Sequence, residues 1–268
     1  MRFDVIFSIT LSDEIIRELE DYKIKYSVTG HIVVFHIYRD QDCYEYFAQK
    51  YSKAIGVTLL KFSKKELLNT EWLVVNPIYN KVSIINEDEA FSYSCNSVNS
   101  YGVEFSNHRD QRMPIQIRGD ITWKKRFFLA ADTGYGEIFV NNHIVKLVND
   151  GQISGCRFDT VYDRKGFPCE NTLQLIAEDV IPDDCIALNH GERRLVCPDC
   201  GRIQYEVGSS YQLHLFRNKL NSEKDIFMTR NIFGSGQAHA LFVISNRFYR
   251  LLSENQMCDL HVIPAVLV

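Results

Sequence analysis

Along residues 1–90 the apolar positions change period several times, and each change marks a new element. In RFDVIFSI, from Arg2 to Ile9, apolar side chains recur at every second position, the period of a strand. Ser12 then stands where a helix N-cap belongs, and Ile15, Ile16, Leu19 and Tyr22 fall on one helical face behind it. HIVVFHIY (31–38) reads as a second strand. Between Asp40 and Ile55 a stripe of Cys43, Phe47, Tyr51 and Ala54 predicts a helix closed by Gly56 at the C′ position. VTLLKFS predicts a third strand, and Ser63 with Glu66 forms a capping box that opens a short helix. EWLVVNP and KVSII complete a mixed α/β block. The block has no glycine-rich strand-to-helix turn, so nothing in it predicts a nucleotide cradle.

Residues 91–120 carry polar clusters, SCNSVNSYG and SNHRDQR, and read as a crossing segment. From Pro114 onward the pattern is strand-rich with short helices. It also repeats. VNNHIVKLVNDGQISGCRFDTV (140–161) aligns without gaps to ISNRFYRLLSENQMCDLHVIPA (244–265) at a constant offset of 104 residues. Asn142 and Asn246, Leu147 and Leu251, and Gln152 and Gln256 are identical across it. The expectation is two similarly built strand–helix–strand units. The fold class is therefore α+β: a mixed α/β N-terminal lobe over residues 1–110, then a strand-rich lobe over 111–268 with two such units.

At 268 residues the chain has room for two lobes, taking about 100–200 residues per domain. Hydrophobic residues make up 46% and charged residues 24%, the balance of an ordinary globular protein. The net charge is −4, so no basic field favours nucleic acid, and a basic protein partner suits this surface better. No apolar run approaches the roughly 20 residues that span a bilayer, so no membrane association is expected. MRFDVIFSITLSDEIIRELE is interrupted by Asp4 and followed by an acidic amphipathic stretch; it reads as the first core strand of a cytoplasmic protein, not as a signal peptide.

Eight cysteines are scattered along the chain, and only Cys197 and Cys200 are close. In LVCPDCGRIQY the two-residue spacing lets both thiolates face one ion, and Gly201 lets the backbone turn behind it. The strand-like flank GRIQYEV argues against a redox pair, which opens a helix. A zinc knuckle is the expectation, with Cys169, Cys185, His190 and His214 as candidates for the missing ligands. Cys185 and His190 lie in the polar loop DDCIALNHGERRLVC, and His214 follows Cys200 by fourteen residues. A set of Cys185, Cys197, Cys200 and His190, or His214 in its place, would be closed to water and therefore structural.

Catalytic signatures are sparse. G-x-S-x-G, H-E-x-x-H, G-x-x-x-x-G-K and EF-hand patterns do not occur in the sequence. NEDEA (86–90) reads as a solvated loop, His108, Arg109 and Asp110 as polar loop residues, Cys156 as a buried thiol and TWKKRFF as a strand edge. The chain is expected not to be an enzyme.

The second half resembles a bacterial family, the double-CxxCG proteins of contact-dependent toxin systems and the related immunity proteins of polymorphic toxins. ITWKKRFFLA, FVNNHIVKLVNDGQISGCRFDTV, TLQLIAEDVIP, then Cys185, CPDCGR, DIFMTRNIFG and LFVISNRFYRLLSENQMCDLHVIPAV are similar to the family's segments in order, over about residues 115–268. Cys185 matches the lone cysteine ahead of the family's second CxxCG; the family's earlier CxxCG has no counterpart in residues 1–115. The resemblance implies an immunity protein that binds and blocks a cognate toxin without catalysis. A zinc-knuckle nucleic-acid-binding or regulatory protein is the alternative.

Overall fold

The alternation in RFDVIFSI becomes β1 (Arg2–Thr10), which buries Val5 and Phe7 on one face. The computed structural model describes residues 1–75, 81–93, 109–132, 136–188, 193–207, 211–220, 223–234 and 238–268. The chain forms two compact units, Met1–Glu66 with Ser209–Tyr211, and Leu67–Gly208 with Gln212–Val268. Both mix helices with sheets, antiparallel in the first unit and mixed in the second, where the strands Lys81–Val82, Asp179–Ile181, Ile203–Glu206 and Val266–Leu267 each pair parallel with a neighbour. The protein is therefore α+β and strand-rich.

In the first unit α1 (Asp13–Asp21) follows β1, and the Ser12 side chain accepts from Ile15 N at 3.3 Å, the expected cap. β2 (Tyr26–Thr29) and β3 (Ile32–Tyr38) form a hairpin whose turn holds Gly30 at φ 60°. Ile24, Tyr26 and Val28 alternate with polar residues at a strand's period, and β2 stands at the edge of its sheet with all four of its residues exposed. The helix expected over Asp40–Ile55 is shorter: α2 covers Tyr44–Lys50, and a 3₁₀ turn at Ser52–Ala54 leads into β4 (Ile55–Lys61). Gly56 thus lies inside a strand rather than closing a helix, beside the β1 backbone; a Cβ there would sit 3.5 Å from Ile6 O. The sheet order is β2-β3-β1-β4, all antiparallel. Phe7 pairs with Phe35 and stacks on it at 5.0 Å, and Ile15, Leu19 and Phe47 of the helices close over this face. Asp4, which interrupts the apolar run, points the other way and is buried beside His36 at 3.2 Å and Lys61 at 3.8 Å. The capping box forms as expected at the start of α3 (Lys64–Leu68): Glu66 N bonds Ser63 Oγ at 3.3 Å and Ser63 N bonds Glu66 Oε2 at 2.7 Å.

In the second unit come β5 (Trp72–Val75), β6 (Lys81–Val82), α4 (Glu87–Ala90), β7 (Phe91–Tyr93), β8 (Arg109–Gln111), β9 (Phe128–Ala131), β10 (Ile138–Val140), α5 (Asn142–Asp150), β11 (Cys156–Tyr162) and β12 (Pro168–Ala177). β13 (Asp179–Ile181), β14 (Ile186–Ala187), β15 (Arg193–Val196), β16 (Ile203–Glu206), β17 (His214–Leu215), β18 (Ile226–Phe233), β19 (His239–Ser245), α6 (Asn246–Glu254), β20 (Val262–Pro264) and β21 (Val266–Leu267) complete it. NEDEA is not a solvated loop: it forms α4, with Ala90 buried and Asn86 bonded to Pro114 O and Gln116 N. TWKKRFF is not a strand edge either. Its first residues form a turn with Lys124 at φ 51° and Trp123 buried on Thr172, and the strand begins only at Phe128.

The echo in the sequence has a counterpart in register. One sheet contains the run β11-β12-β10-β9 and another the run β20-β5-β19-β18, every neighbouring pair within each run antiparallel; β6 extends the first and β16 the second, each through a parallel pairing. Val140 faces Phe128 and Leu173; Ile244, 104 positions later, faces Ile226 and Leu73. Phe158 faces Leu175; Val262, again 104 later, faces Val75. The helix caps correspond as well. Asn141 caps α5 and Ser245 caps α6 through their side chains. At the far ends Ile153 N bonds Val148 O at 3.0 Å and Met257 N bonds Leu252 O at 2.8 Å. One difference separates the two: β12 follows β11 through a hairpin, whereas its counterpart β5 arrives from far upstream.

Both helices share one core. Ile144 and Val148 of α5 and Phe248 and Leu252 of α6 pack in a cluster with Val140, Ile244, Leu73 and Leu175. Asp225, buried, ties the two segments by accepting from Ser245 Oγ at 2.6 Å and Ser154 N at 3.1 Å. Arg247, on α6, bonds the Gly151 carbonyl beyond α5 at 3.2 Å and pairs with Asp225 at 3.2 Å. Among the described residues no helix is long and apolar enough to cross a membrane.

Candidate functional site

β15 and β16 pair antiparallel, with Val196 facing Ile203, and the residues between them are the CPDCGR turn. Cys197 N bonds Arg202 O and Gly201 N bonds Cys197 O, each at 2.9 Å, while Gly201 takes φ 70°. That left-handed φ is the reason glycine is needed after the second cysteine. The turn brings Cys197 and Cys200 together against Leu195, with Cys197 buried and Cys200 half-buried. Arg202 anchors it to β8, bonding Arg109 O at 3.2 Å and the Asp110 carboxylate.

Cys185 is not gathered with this pair. It sits in a 3₁₀ turn (Asp183–Cys185), buried, and its thiol donates to Lys219 O at 3.1 Å. Burial, then the Asp184 charge, pushes that thiol up, with Lys219 pulling the other way. His214 lies on β17, paired with Ala187 of β14. His190 lies outside the described residues. Among the described residues no three His, Cys, Asp or Glu side chains are placed to hold a metal ion. The described residues therefore bring two thiols together on one turn, and no further metal-ligating side chain among them joins the pair.

A polar network fixes the hairpin that carries the Cys197–Cys200 turn. Tyr205, buried on β16, donates its hydroxyl to Asp183; Asn231 bonds the same carboxylate oxygen at 2.7 Å, and Arg194 takes the other at 2.9 Å. Burial and then Asp183 raise the Tyr205 hydroxyl well above its ordinary value, so it stays a donor. Asp183, with both oxygens engaged, serves to hold the strands.

The other chemistry-bearing residues also have structural partners. Arg109 is 4% exposed, pairs with Glu87 at 2.7 Å and Glu137 at 2.6 Å, and lies 3.7 Å from the Phe91 ring centroid. This buried pairing joins NEDEA to the polar run at 109–111; His108 lies outside the described residues. Cys156 opens β11, and burial, then Glu178 and Asp225, push its thiol up to about 12. Cys169 is pushed up to about 11 by burial, then Asp120 and Asp163. A thiol held protonated in this way is a poor nucleophile.

On the first unit a surface depression of about 400 Å³ is lined by Tyr22, Asp40, Gln41, Asp42 and Cys43. In the sequence pattern Tyr22 and Cys43 stand only as helix-face residues. The acidic spacing D-x-D beside an aromatic was the available signal, and it is a weak one.

Comparison with protein-family models and with curated proteins finds no match to this chain.

Proposed function

We propose that this chain is an immunity protein: it binds a cognate bacterial toxin domain and neutralises it without catalysis, in the cytoplasm. The observation that carries the reading is the order of the segments. TLQLIAEDVIP, Cys185, CPDCGR, DIFMTRNIFG and the closing block resemble, in order, segments of the double-CxxCG proteins. They supply β12 and β13, the Asp183 turn, the knuckle hairpin, and then β18, β19, α6 and β20 of one unit. The chemistry of the thiols agrees with binding rather than nucleophilic attack, since Cys156 and Cys169 are held toward the protonated state. The net charge of −4 favours association with a basic partner over an interface of roughly 1,200–2,000 Å².

Structural zinc belongs to this proposal. Cys197 and Cys200 are its first two ligands, with Cys185 and either His190 or His214 as the remainder expected from the sequence. The knuckle turn supports the first two, while the Cys185 bond to Lys219 would have to be exchanged. Elemental analysis of protein purified without chelator decides it: less than about half an equivalent of zinc, unchanged in Cys197→Ser, removes zinc from the proposal.

Co-expression tests the function. The C-terminal domain of a toxin encoded directly upstream should arrest growth when induced, and this chain should restore it. Arrest that persists despite soluble expression of both proteins overturns the reading. The knuckle also favours a nucleic-acid-binding or regulatory role, which predicts salt-dependent retention on DNA or RNA instead of rescue.

A further inference from the structure

We propose that β2 is a self-association edge: two copies of this chain pair their β2 strands antiparallel about a two-fold axis at Ser27, joining two four-stranded sheets into one. The inference goes beyond the immunity reading and does not depend on it.

The hairpin fixes which backbone groups of β2 face outward. Leu11 N bonds His31 O at 2.8 Å, and bonding alternates sides along a strand, so His31, Val33 and Phe35 bond β1 while Ile32 and Val34 bond β2. Their partners on β2 are Thr29 and Ser27. The N–H and C=O groups of Tyr26 and Val28 therefore point away from the sheet. Their side chains stand opposite the buried Phe35 and Val33, at the margin of the core face, and are 37% and 47% exposed. Other sheet edges carry features that block pairing with a further strand. β4 has a bulge against β1 and ends in Lys61; β11 carries Arg157 and Asp159, β15 carries Arg193 and Arg194, and β20 carries Pro264. Tyr26–Thr29 has no charge, no proline and an unbroken register with β3.

The strand is its own complement. An antiparallel pair of β2 strands centred on Ser27 sets Tyr26 of each copy opposite Val28 of the other. These are the outward-facing residues, and each such pair exchanges both of its backbone hydrogen bonds. This register is the one that uses Tyr26 and Val28 together on both strands. It also lays a tyrosine ring against a β-branched side chain, a favourable cross-strand pair. Lys25 falls opposite Thr29. The two Lys25 side chains are thus four strand positions apart, about 14 Å, beyond the screening length of about 8 Å at physiological ionic strength. An uncharged strand offers a charged partner nothing to read, whereas a second copy matches it at each position. With only four residues in the strand the association is weak and depends on concentration.

The test uses the full chain in sedimentation velocity from about 5 to 500 μM, the range in which a small interface assembles. The wild type should pass from monomer to dimer as concentration rises. Val28→Lys sets a charge on the edge and leaves the bonds to β3 in place, so it should stay monomeric with an unchanged denaturant midpoint. Cysteine substitution reads the register. Ser27→Cys brings two thiols face to face at the axis, in the closer, non-hydrogen-bonded kind of pair. Oxidised glutathione should join them in one disulfide, with release of two reduced glutathione molecules, and peptide mass spectrometry should map the link to position 27. Thr29→Cys holds its thiols about 14 Å apart, too far to bridge, and should give no link at position 29. A monomer at every concentration, equal linking at both positions, or a dimer indifferent to Val28→Lys overturns the proposal. A chain that is monomeric alone and loses toxin binding in Val28→Lys also overturns it, and assigns the edge to a strand of the toxin. Growth rescue is scored separately, so a failed dimer leaves the immunity reading standing and a failed rescue leaves the dimer.

Discussion

Gln152 and Gln256, 104 positions apart, both take the left-handed backbone, at φ 50° and 56°, immediately after the paired helices α5 and α6. Neither is glycine, so each carries a conformational cost of about 1–2 kcal/mol. Gln152 N bonds Asn149 O at 3.2 Å and Gln256 N bonds Ser253 O at 3.3 Å, so the same turn reverses the chain in both places. Glycine should relieve the strain while adding entropy to the unfolded chain. Gln152→Gly and Gln256→Gly are each expected to stabilise by roughly 0.5–1 kcal/mol, additively, read from denaturant midpoints at constant slope. Opposite signs at the two sites would show that the two turns are not equivalent.

Two glycines near these turns should respond very differently to alanine. Gly155 takes φ 89°, and a Cβ there would lie 2.4 Å from the backbone oxygen of Ile226. Backbone cannot retreat cheaply, so Gly155→Ala is expected to destabilise by about 3 kcal/mol or more. Gly151 has an ordinary φ of −80°, and its added Cβ would meet Leu251 Cδ2 at 2.4 Å. That atom is the end of a flexible side chain, so Gly151→Ala should cost about 1 kcal/mol, and Leu251→Ala in the same chain should remove most of the clash. A Gly151 penalty unchanged by the second substitution would place the cost elsewhere.

How much of this was legible in the sequence depended on the range of the interaction. The Ser12 cap, the Ser63–Glu66 box and the α5/α6 echo rest on contacts within a few residues, and all were readable from spacing. Partners distant in sequence were not. EWLVV announces a strand, but nothing in it shows that Leu73 will pair with Ile244, or that β5 will take the place that β12 holds in the other sheet. Arg109 looked like a loop residue because its burial is created by Glu87, Glu137 and Phe91, each supplied from elsewhere in the chain. Gly56 looked like a helix stop because a glycine in a strand and one after a helix have the same local signature. At the candidate site the Cys197–Cys200 turn was visible from its spacing and its glycine, whereas the Cys185 bond to Lys219 was not.

The protonated thiols make a direct chemical prediction. With its thiol raised from 9.0 to about 12, Cys156 should carry about a thousandfold less thiolate than an unperturbed cysteine at the same pH. Brief iodoacetamide treatment at pH 8 should therefore leave Cys156 and Cys169 unlabelled in the native protein and label both after unfolding, read by peptide mass spectrometry. Native labelling of Cys156 at the rate of a free thiol would contradict the burial assigned to it.

Asp259 offers a pH test in which the sign is fixed by geometry. Burial raises its carboxyl above the ordinary 3.8, while the amides of Phe127, at 2.9 Å, and Phe128, at 3.5 Å, pull it down without cancelling the rise. A raised folded-state value means that the folded protein binds this proton more tightly than the unfolded chain does. The associated stability is therefore complete below about 3.8 and is lost as pH rises through the folded value. Asn at this position keeps an oxygen for Phe127 N and carries no charge. Asp259→Asn should thus be at least as stable as wild type at pH 7, and its stability should lack the wild-type decline that begins near the ordinary carboxylate range. Asp259→Leu removes the acceptor and leaves the two amides to find other partners, so it should cost about 1–3 kcal/mol at every pH. An Asn variant less stable than wild type at pH 7 but not at pH 4 would mean that the charge on Asp259 stabilises the fold, the reverse of what its burial requires.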